Sequence, residues 1–165
     1  MQCIFDKNSL QYMLEQFPRS LMGDIWTLFE NNCKDGTIIS ELQSQKRLEN
    51  ELSNVDYLEW LKKNKQIFKS LAEKEAILLG KMMELNVFDF YNNPQLAERR
   101  LPEGIPFILC MAKIQGRYYV YRKNTEFLHA IKEICKKFDI KYLEIEEYLL
   151  KTTNHTTGSE GISNN

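Results

Sequence analysis

Short apolar runs alternate with longer amphipathic segments along this 165-residue chain, and the alternation limits the fold more than any other feature. Apolar runs rich in β-branched or aromatic residues occur at Cys3–Phe5, 37–39, Tyr118–Tyr121 and 142–145. Between them, apolar residues recur at helical spacing, as in the segment 20–32. Short strands separated by helices predict a parallel sheet that is covered on both faces. We therefore expect an α/β protein of three layers, in which helices flank a short central parallel sheet.

The segments between the strands carry helix signals, and those near the end of the chain suggest a domain boundary. We expect a helix starting near Leu10 with Asn8 and Ser9 as caps, a helix over 20–32, a polar helix over 41–51 capped by Ser40, two helices over 56–84, a buried helix from Pro106 to about 114, a helix over 127–138 and a closing helix over 146–150. Residues 151–165 contain too little apolar surface to fold. The sequence predicts one domain over 1–150 and a disordered tail over 151–165.

Composition excludes several classes of protein. The formal net charge is -1, so no global basic field indicates binding to nucleic acid. The four cysteines lie far apart without a CxxC pair, which disfavours a zinc site. No apolar run approaches the roughly 20 residues of a membrane helix. Because Met1–Asp6 passes directly into a strand pattern instead of a signal peptide, we expect a cytoplasmic protein without a membrane contact.

Asp6 is the first candidate site residue, because it directly follows the first predicted strand. Ligand sites in parallel sheets collect at the carboxyl ends of the strands. A strand-end aspartate also commonly caps the helix that follows it. Both interpretations of Asp6 remain open at this stage.

The order of segments resembles a family, the PIN-like nucleases. The segments that carry the resemblance are "IFDKNSL", "FPRSLMGDIWTLFENNCKDGTIIS", "DYLEWLKKNKQIF", "GIPFILCMAKIQGRYYVYRK" and "EICKKFDIKYLEIEEYL", which together span roughly residues 2–150. More narrowly, the chain is similar to an uncharacterised PIN-like group that is often encoded beside a helix-turn-helix regulator in toxin–antitoxin-type loci. The resemblance implies a PIN-like α/β/α fold.

The resemblance also implies a ribonuclease site, in which three or four carboxylates at one end of the sheet hold Mg²⁺ or Mn²⁺. Asp6 matches the first acidic position and Asn8 the polar residue two places on. The second acid matches Glu51 by local pattern and Arg47 by strict counting, with Glu49 between them. Ile105 stands at the third acidic position and Lys123 at the fourth. Two of the four expected carboxylates are therefore absent.

Other residues could compensate for this loss. Glu103 and Glu126 lie close in sequence to the two lost positions and are candidate replacement ligands, so that an active enzyme would hold its metal through Asp6, Glu51 and Glu103. Alternatively, Lys123 could neutralise Asp6 or Glu51, since an ammonium about 4 Å from a carboxylate gains roughly 1 kcal/mol in water and about 4 kcal/mol at an intermediate dielectric.

The leading interpretation is a degenerate PIN-like domain that has lost catalysis and serves as a binding or regulatory component of a toxin–antitoxin or mobile-element module. Its expected partner is a protein, either the neighbouring regulator or a related toxin; RNA and a second copy of the chain are further candidates, and no cofactor is expected. One alternative is an active endoribonuclease that requires Mg²⁺ or Mn²⁺. Another is an interaction scaffold that shares only the fold.

Two further features have simpler explanations. Lys62, Lys63, Lys65 and Lys69 could contact phosphate, but with a negative net charge a solvated face is the favoured explanation. Trp26 and Trp60 fall on apolar helix faces and predict either core or a partner surface.

Overall fold

Five short strands form the centre of the protein in the computed structural model, which describes residues 1–84, 104–123 and 127–157, the last four of these without side chains. The strands are β1 (Cys3–Phe5), β2 (Ile38–Glu41), β3 (Phe68–Lys69), β4 (Tyr118–Tyr121) and β5 (Tyr142–Glu144). They pair in the order β3-β2-β1-β4-β5, and every pair is parallel. The predicted parallel sheet is confirmed.

Eight helices of the described chain cover the two faces of this sheet. They are α1 (Lys7–Gln16), α2 (Gly23–Lys34), α3 (Leu42–Glu51), α4 (Val55–Lys63), α5 (Glu73–Glu84), α6 (Ile105–Gln115), α7 (Leu128–Lys137) and α8 (Ile145–Thr157), with a 3₁₀ turn at Lys65–Ile67. Buried residues of α1 to α4 and α8 pack on one face, and those of α5 to α7 pack on the other. The three-layer α/β/α architecture is therefore the one expected. No helix in the described ranges combines the length and the apolar character that crossing a membrane requires.

Side chains alternate between the two faces along each strand, as the pleat of a strand requires. Cys3 and Phe5 of β1 enter the cluster beneath α1 to α4, whereas Ile4 between them enters the cluster beneath α5 to α7. In β4, Val120 joins the first cluster and Tyr119 the second. Both faces of the sheet are thus buried, which explains why the central strands β1 and β4 are apolar or aromatic throughout.

The strand order places a topological switch point between β1 and β4. From β1 the chain proceeds outward to β2 and β3, and it then returns to the other side of β1 to form β4 and β5. In open parallel sheets, the crevice at the carboxyl ends of the strands beside this point is where ligands bind. Asp6 follows the last residue of β1 and therefore lies at this crevice.

The helix boundaries differ from the sequence-based expectation at the caps. Helix α1 begins at Lys7 with Asp6 as its cap, instead of near Leu10 with Asn8 and Ser9. Helix α3 is capped by Glu41, while the Ser40 hydroxyl donates to the Phe5 carbonyl 2.7 Å away. In both cases the capping residue is the acidic one at the carboxyl end of the strand, since Asp6 directly follows β1 and Glu41 is the last residue of β2.

The prediction of two helices over 56–84 is wrong for the residues between α4 and α5. After α4 the chain forms the 3₁₀ turn and then β3, in which Phe68 pairs with Ser40 and Lys69 with Glu41 of β2. No glycine or proline marks this break in the sequence. The pairing with β2 is a tertiary contact, and local propensity cannot reveal it.

The first residues of the predicted disordered tail are helical instead. Helix α8 continues to Thr157, so residues 151–157 are helical. The hydroxyls of Thr152 and Thr153 donate to the carbonyls of Tyr148 and Leu149, four residues earlier, which lets these threonines satisfy their polar groups inside a helix. Residues 158–165 lie outside the described part of the chain.

An aromatic cluster beneath α2 and α4 generates a stability prediction. Phe29 is 1% exposed, stacks on Trp60 at a centroid distance of 5.7 Å and meets Trp26 and Phe5 edge-on. Phe29→Ala should lower the free energy of unfolding by about 3–5 kcal/mol, measured by urea denaturation, because it removes these contacts and leaves a cavity. The control Ile77→Ala, at a side chain 54% exposed, should cost less than about 1 kcal/mol. Equal losses in the two variants would contradict the packing described.

Candidate functional site

Asp6 is buried at the carboxyl end of β1, where two donors hold its carboxyl group. The side chain is 2% exposed. Its Oδ1 accepts a hydrogen bond from the Ser9 amide at 2.7 Å, which caps α1, and its Oδ2 accepts one from the Tyr119 hydroxyl at 2.6 Å. Tyr119 reaches Asp6 because it lies on β4, in register with Ile4 of β1. Asp6 therefore caps a helix and also lies at the switch point, so the two interpretations of this residue are compatible.

The surroundings of Asp6 make its ionised form less favourable than it is in water. Burial raises the pKa of Asp6 above its ordinary value, and the hydrogen bonds from Tyr119 and Ser9 only partly oppose the rise. Burial and the adjacent Asp6 carboxylate raise the pKa of Tyr119 well above its ordinary value, so that its hydroxyl stays protonated and acts as the donor. The pair is a closed hydrogen-bonded unit that attracts cations less than an exposed carboxylate would.

A cavity of about 30 Å³ adjoins Asp6 at this edge of the sheet. Its walls come from the first turn of α1 (Lys7 and Asn8), the inner side of α3 (Ser44 and Arg47) and the start of α6 (Gly104, Ile105 and Ile108). This volume is enough for about one water molecule. The structure thus gathers a small group of polar and charged side chains around one buried carboxyl group.

The three candidates for the second predicted acidic position lie in different surroundings. Arg47, the residue found by strict counting, lines the cavity. Glu51 is 46% exposed and forms an ion pair with Lys7. Glu49 accepts an exposed hydrogen bond from Gln45 of its own helix. Arg47 therefore stands beside Asp6, and neither glutamate is among the residues that form the cavity.

The residues at the third and fourth predicted acidic positions, Ile105 and Lys123, lie in different surroundings. Ile105 lines the cavity with Asp6 and Asn8, as the resemblance implies for the residue before the proline. Lys123 is 70% exposed, and its ammonium lies 3.8 Å from Glu144 Oε2 of β5. The suggested pairing of Lys123 with Asp6 or Glu51 is thus not the one present. Tyr121 of β4 pairs with Glu144 of β5, so Lys123, two residues after Tyr121, lies near Glu144.

Glu41 is a buried carboxylate that the sequence analysis did not single out. It is 3% exposed at the carboxyl end of β2, where it accepts from the Gln43 amide at 2.6 Å and the Ser44 hydroxyl at 2.9 Å. Its position at the carboxyl end of a strand, near which Asp6 also lies, was the available signal. The signal was missed because Glu41 opens a segment with the composition of a solvated helix.

Gly104 is required where these groups meet α6. Its φ of +119° is a conformation that side chains rarely adopt, and a Cβ atom there would lie 2.8 Å from Glu41 Oε1 and 3.0 Å from Arg47 Nη1. Glycine therefore allows the backbone of α6 to approach both charged groups.

The described ranges contain neither a cluster of side chains suited to hold a metal nor a cysteine thiol suited to chemistry. Within 1–84, 104–123 and 127–157, no three His, Cys, Asp or Glu side chains converge as metal ligands would. Glu103 and Glu126, the candidate replacement ligands, lie outside these ranges. Burial raises the pKa of the Cys110 and Cys135 thiols to about 12, so both are neutral and fit the expected role of small buried side chains.

Comparison with known proteins identifies one matching family model. Its description is "Domain of unknown function (DUF4411)", and it matches residues 3–156. No curated protein matches the chain.

The buried carboxyl of Asp6 generates a prediction about pH. A carboxyl group whose pKa is higher in the folded than in the unfolded state stabilises the fold fully below the unfolded value, about 3.8, and this contribution is lost as the pH rises through the folded pKa. Asp6→Asn keeps an oxygen that can cap α1 and removes the buried charge. We expect Asp6→Asn to be more stable than wild type at pH 7, with a difference that shrinks as the pH falls toward 4, measured by urea denaturation at each pH.

The matched control is Asp24→Asn, at an exposed aspartate in the first turn of α2. Its stability relative to wild type should lack the gain seen at pH 7. Should Asp6→Asn instead be less stable than wild type at pH 7, the unfavourable burial of the Asp6 charge would be refuted.

Proposed function

The chain belongs to the DUF4411 family, whose function is unknown, and we propose on separate grounds that it is a degenerate PIN-like domain that binds a partner without cleaving RNA. The observation that carries the proposal is the composition of the cavity beside Asp6. Arg47 and Ile105 occupy two of the places where a PIN-like nuclease would have carboxylates, and both line the cavity with Asp6. A cation and an aliphatic side chain thus replace two oxygen donors.

The chemistry of hard divalent cations supports this proposal. Mg²⁺ and Mn²⁺ need several oxygen ligands, and clustered carboxylates usually supply them. Among the described residues that line the cavity, Asp6 alone has a carboxyl group, and its two oxygens already accept hydrogen bonds from Ser9 and Tyr119. The guanidinium of Arg47, which lines the same cavity, would also repel a divalent cation held there.

The proposed role is that of a binding or regulatory component of a toxin–antitoxin or mobile-element module in the cytoplasm. A protein partner, such as an adjacent regulator or a related active toxin, fits a chain with a net charge of -1 better than RNA does. The proposal thus commits to a protein partner, and RNA held without cleavage is the outcome that would revise it.

Restoring carboxylates to the cavity tests the loss of metal binding. The wild-type chain should show no Mn²⁺ binding by isothermal titration calorimetry and no cleavage of single-stranded RNA with Mg²⁺ or Mn²⁺. The variant Arg47→Glu with Ile105→Asp should bind Mn²⁺ measurably, because three carboxyl groups would then surround one cavity. Its dissociation constant should lie at least about tenfold below the weakest that the titration detects. The matched neutral variant, Arg47→Gln with Ile105→Asn, should gain none.

Because Ile105 is 2% exposed, each variant is checked by circular dichroism, and Arg47→Glu alone serves as the version that leaves the core intact. RNA cleavage by the wild-type chain that requires Mn²⁺ and disappears in Asp6→Asn would establish the active ribonuclease instead.

Expression in a bacterial host provides a functional test. Without catalysis, overexpression of the wild-type chain should leave the growth rate equal to that of a host expressing Asp6→Asn, measured by optical density. Growth arrest that Asp6→Asn relieves would contradict the proposal, because it would show that Asp6 supports a toxic activity.

A further inference from the structure

Strand β5 forms one edge of the sheet, since β4 is its neighbour on one side and no described strand follows it on the other. The Lys141 carbonyl accepts a hydrogen bond from the Tyr119 amide at 2.8 Å and therefore points toward β4. Backbone groups alternate in direction along a strand, so the amide and the carbonyl of Tyr142 point to the outer side. None of the hydrogen bonds that join the described elements uses these two groups. Strand β5 thus presents a free donor and a free acceptor to an additional strand.

Lysines flank this edge on both faces of the sheet. Lys141 lies on the face covered by α1 to α4 and α8, with its ammonium 5.6 Å from the centre of the Tyr118 ring. Lys132 of α7 lies on the opposite face, with its ammonium 5.4 Å from the centre of the Tyr121 ring. The Tyr121 ring in turn lies 6.0 Å from the ring of Tyr142, which is 39% exposed. Lys132 therefore extends over the pair of strands β4 and β5.

The segment 128–144, which contains α7, β5 and the turn between them, has an excess of unpaired positive charge. All four of its lysines form no ion pair within the described chain: Lys132, Lys136, Lys137 and Lys141. Two of its three carboxylates already have lysine partners, Asp139 at 3.3 Å and Glu144 at 3.8 Å. Glu133 is the one carboxylate of the segment left to oppose the four lysines. The positive charge is concentrated at the amino end of β5, since the first turn of α8, at the other end, is acidic.

We propose that an acidic segment of a protein partner adds to the sheet as a strand beside β5. Its backbone pairs with the amide and the carbonyl of Tyr142. Its side chains alternate between the two faces, so acidic residues meet Lys141 on one face and Lys132 and Lys136, which are one helical turn apart, on the other.

The charge of this edge selects the occupant. Lysines beside an edge strand discourage pairing with basic or apolar strands, so an acidic strand is the one that gains from the contact. A nucleic acid would neutralise the lysines but would leave the outer backbone groups of β5 without partners. The inference rests on the proposed function in one respect, the choice of a protein as the partner, and it adds where that partner binds and which charge it carries.

Fluorescence anisotropy with two labelled peptides tests the charge of the occupant. Repeats of Glu-Glu-Thr-Thr put glutamates on both faces of an added strand, and repeats of Lys-Lys-Thr-Thr are the matched basic peptide. The full chain should bind the acidic peptide at least about tenfold more tightly than the basic one. The triple variant Lys132→Glu, Lys136→Glu, Lys141→Glu should bind the acidic peptide at least about tenfold more weakly and prefer the basic peptide.

A matched triple variant separates this edge from the effect of net charge. Lys46→Glu, Lys62→Glu, Lys65→Glu reverses the same number of exposed lysines on α3, α4 and the 3₁₀ turn. It changes the net charge equally but far from β5, so it should weaken binding of the acidic peptide by less than about threefold.

Substitutions at Tyr142 test the pairing of the backbone. Tyr142→Pro removes the outward amide but no hydrogen bond to β4, a position where an edge strand tolerates proline. It should weaken binding of the acidic peptide at least about fivefold. Tyr142→Ala loses the same ring but keeps the amide, so it should bind more tightly than Tyr142→Pro. Circular dichroism checks that both variants are folded.

Equal affinity for the two peptides, equal losses in the two triple variants or unchanged binding by Tyr142→Pro would overturn the proposal. Binding of single-stranded oligouridine that the Lys132, Lys136 and Lys141 reversals abolish and Tyr142→Pro does not would establish a nucleic-acid surface instead. These outcomes are independent of the metal-binding and growth tests of the proposed function. An active ribonuclease would refute that function and leave peptide binding at β5 intact.

Discussion

The hydrogen bonds to the Asp6 carboxyl group connect the parts of the molecule on which the candidate site depends. One oxygen accepts from the Ser9 amide and so sets the start of α1, and the other accepts from the Tyr119 hydroxyl on β4. The Ser9 hydroxyl in turn donates to the Val120 carbonyl at 3.1 Å. These contacts join β1, α1 and β4 at the switch point of the sheet, where a buried polar group must be satisfied to be tolerated.

Under the proposed function, this arrangement explains how a former nuclease site can persist as a structural centre. A carboxyl group that caps a helix and accepts from a buried tyrosine contributes to folding whether or not a metal is present. Around it, Arg47 and Ile105 fill places that metal chemistry would require to be acidic. Under the proposed function, the fold was retained for binding after the requirement for carboxylates had gone, and the fold alone would not reveal the difference.

The sequence by itself determined the architecture. Burial on both faces of the sheet requires that the central strands, β1 and β4, be apolar, and each helix needs an apolar stripe. It also identified Asp6, because the residue after a strand lies at the edge of the sheet wherever that strand is placed. Tertiary structure alone decided that Arg47 lies beside Asp6 while Glu51 pairs with Lys7, because the rotation of α3 depends on its packing. The same holds for β3, which forms through its pairing with β2, and for Lys123, which reaches Glu144 because β4 and β5 are neighbours. Local pattern places residues along an element, and only the packing of elements determines which side chains meet.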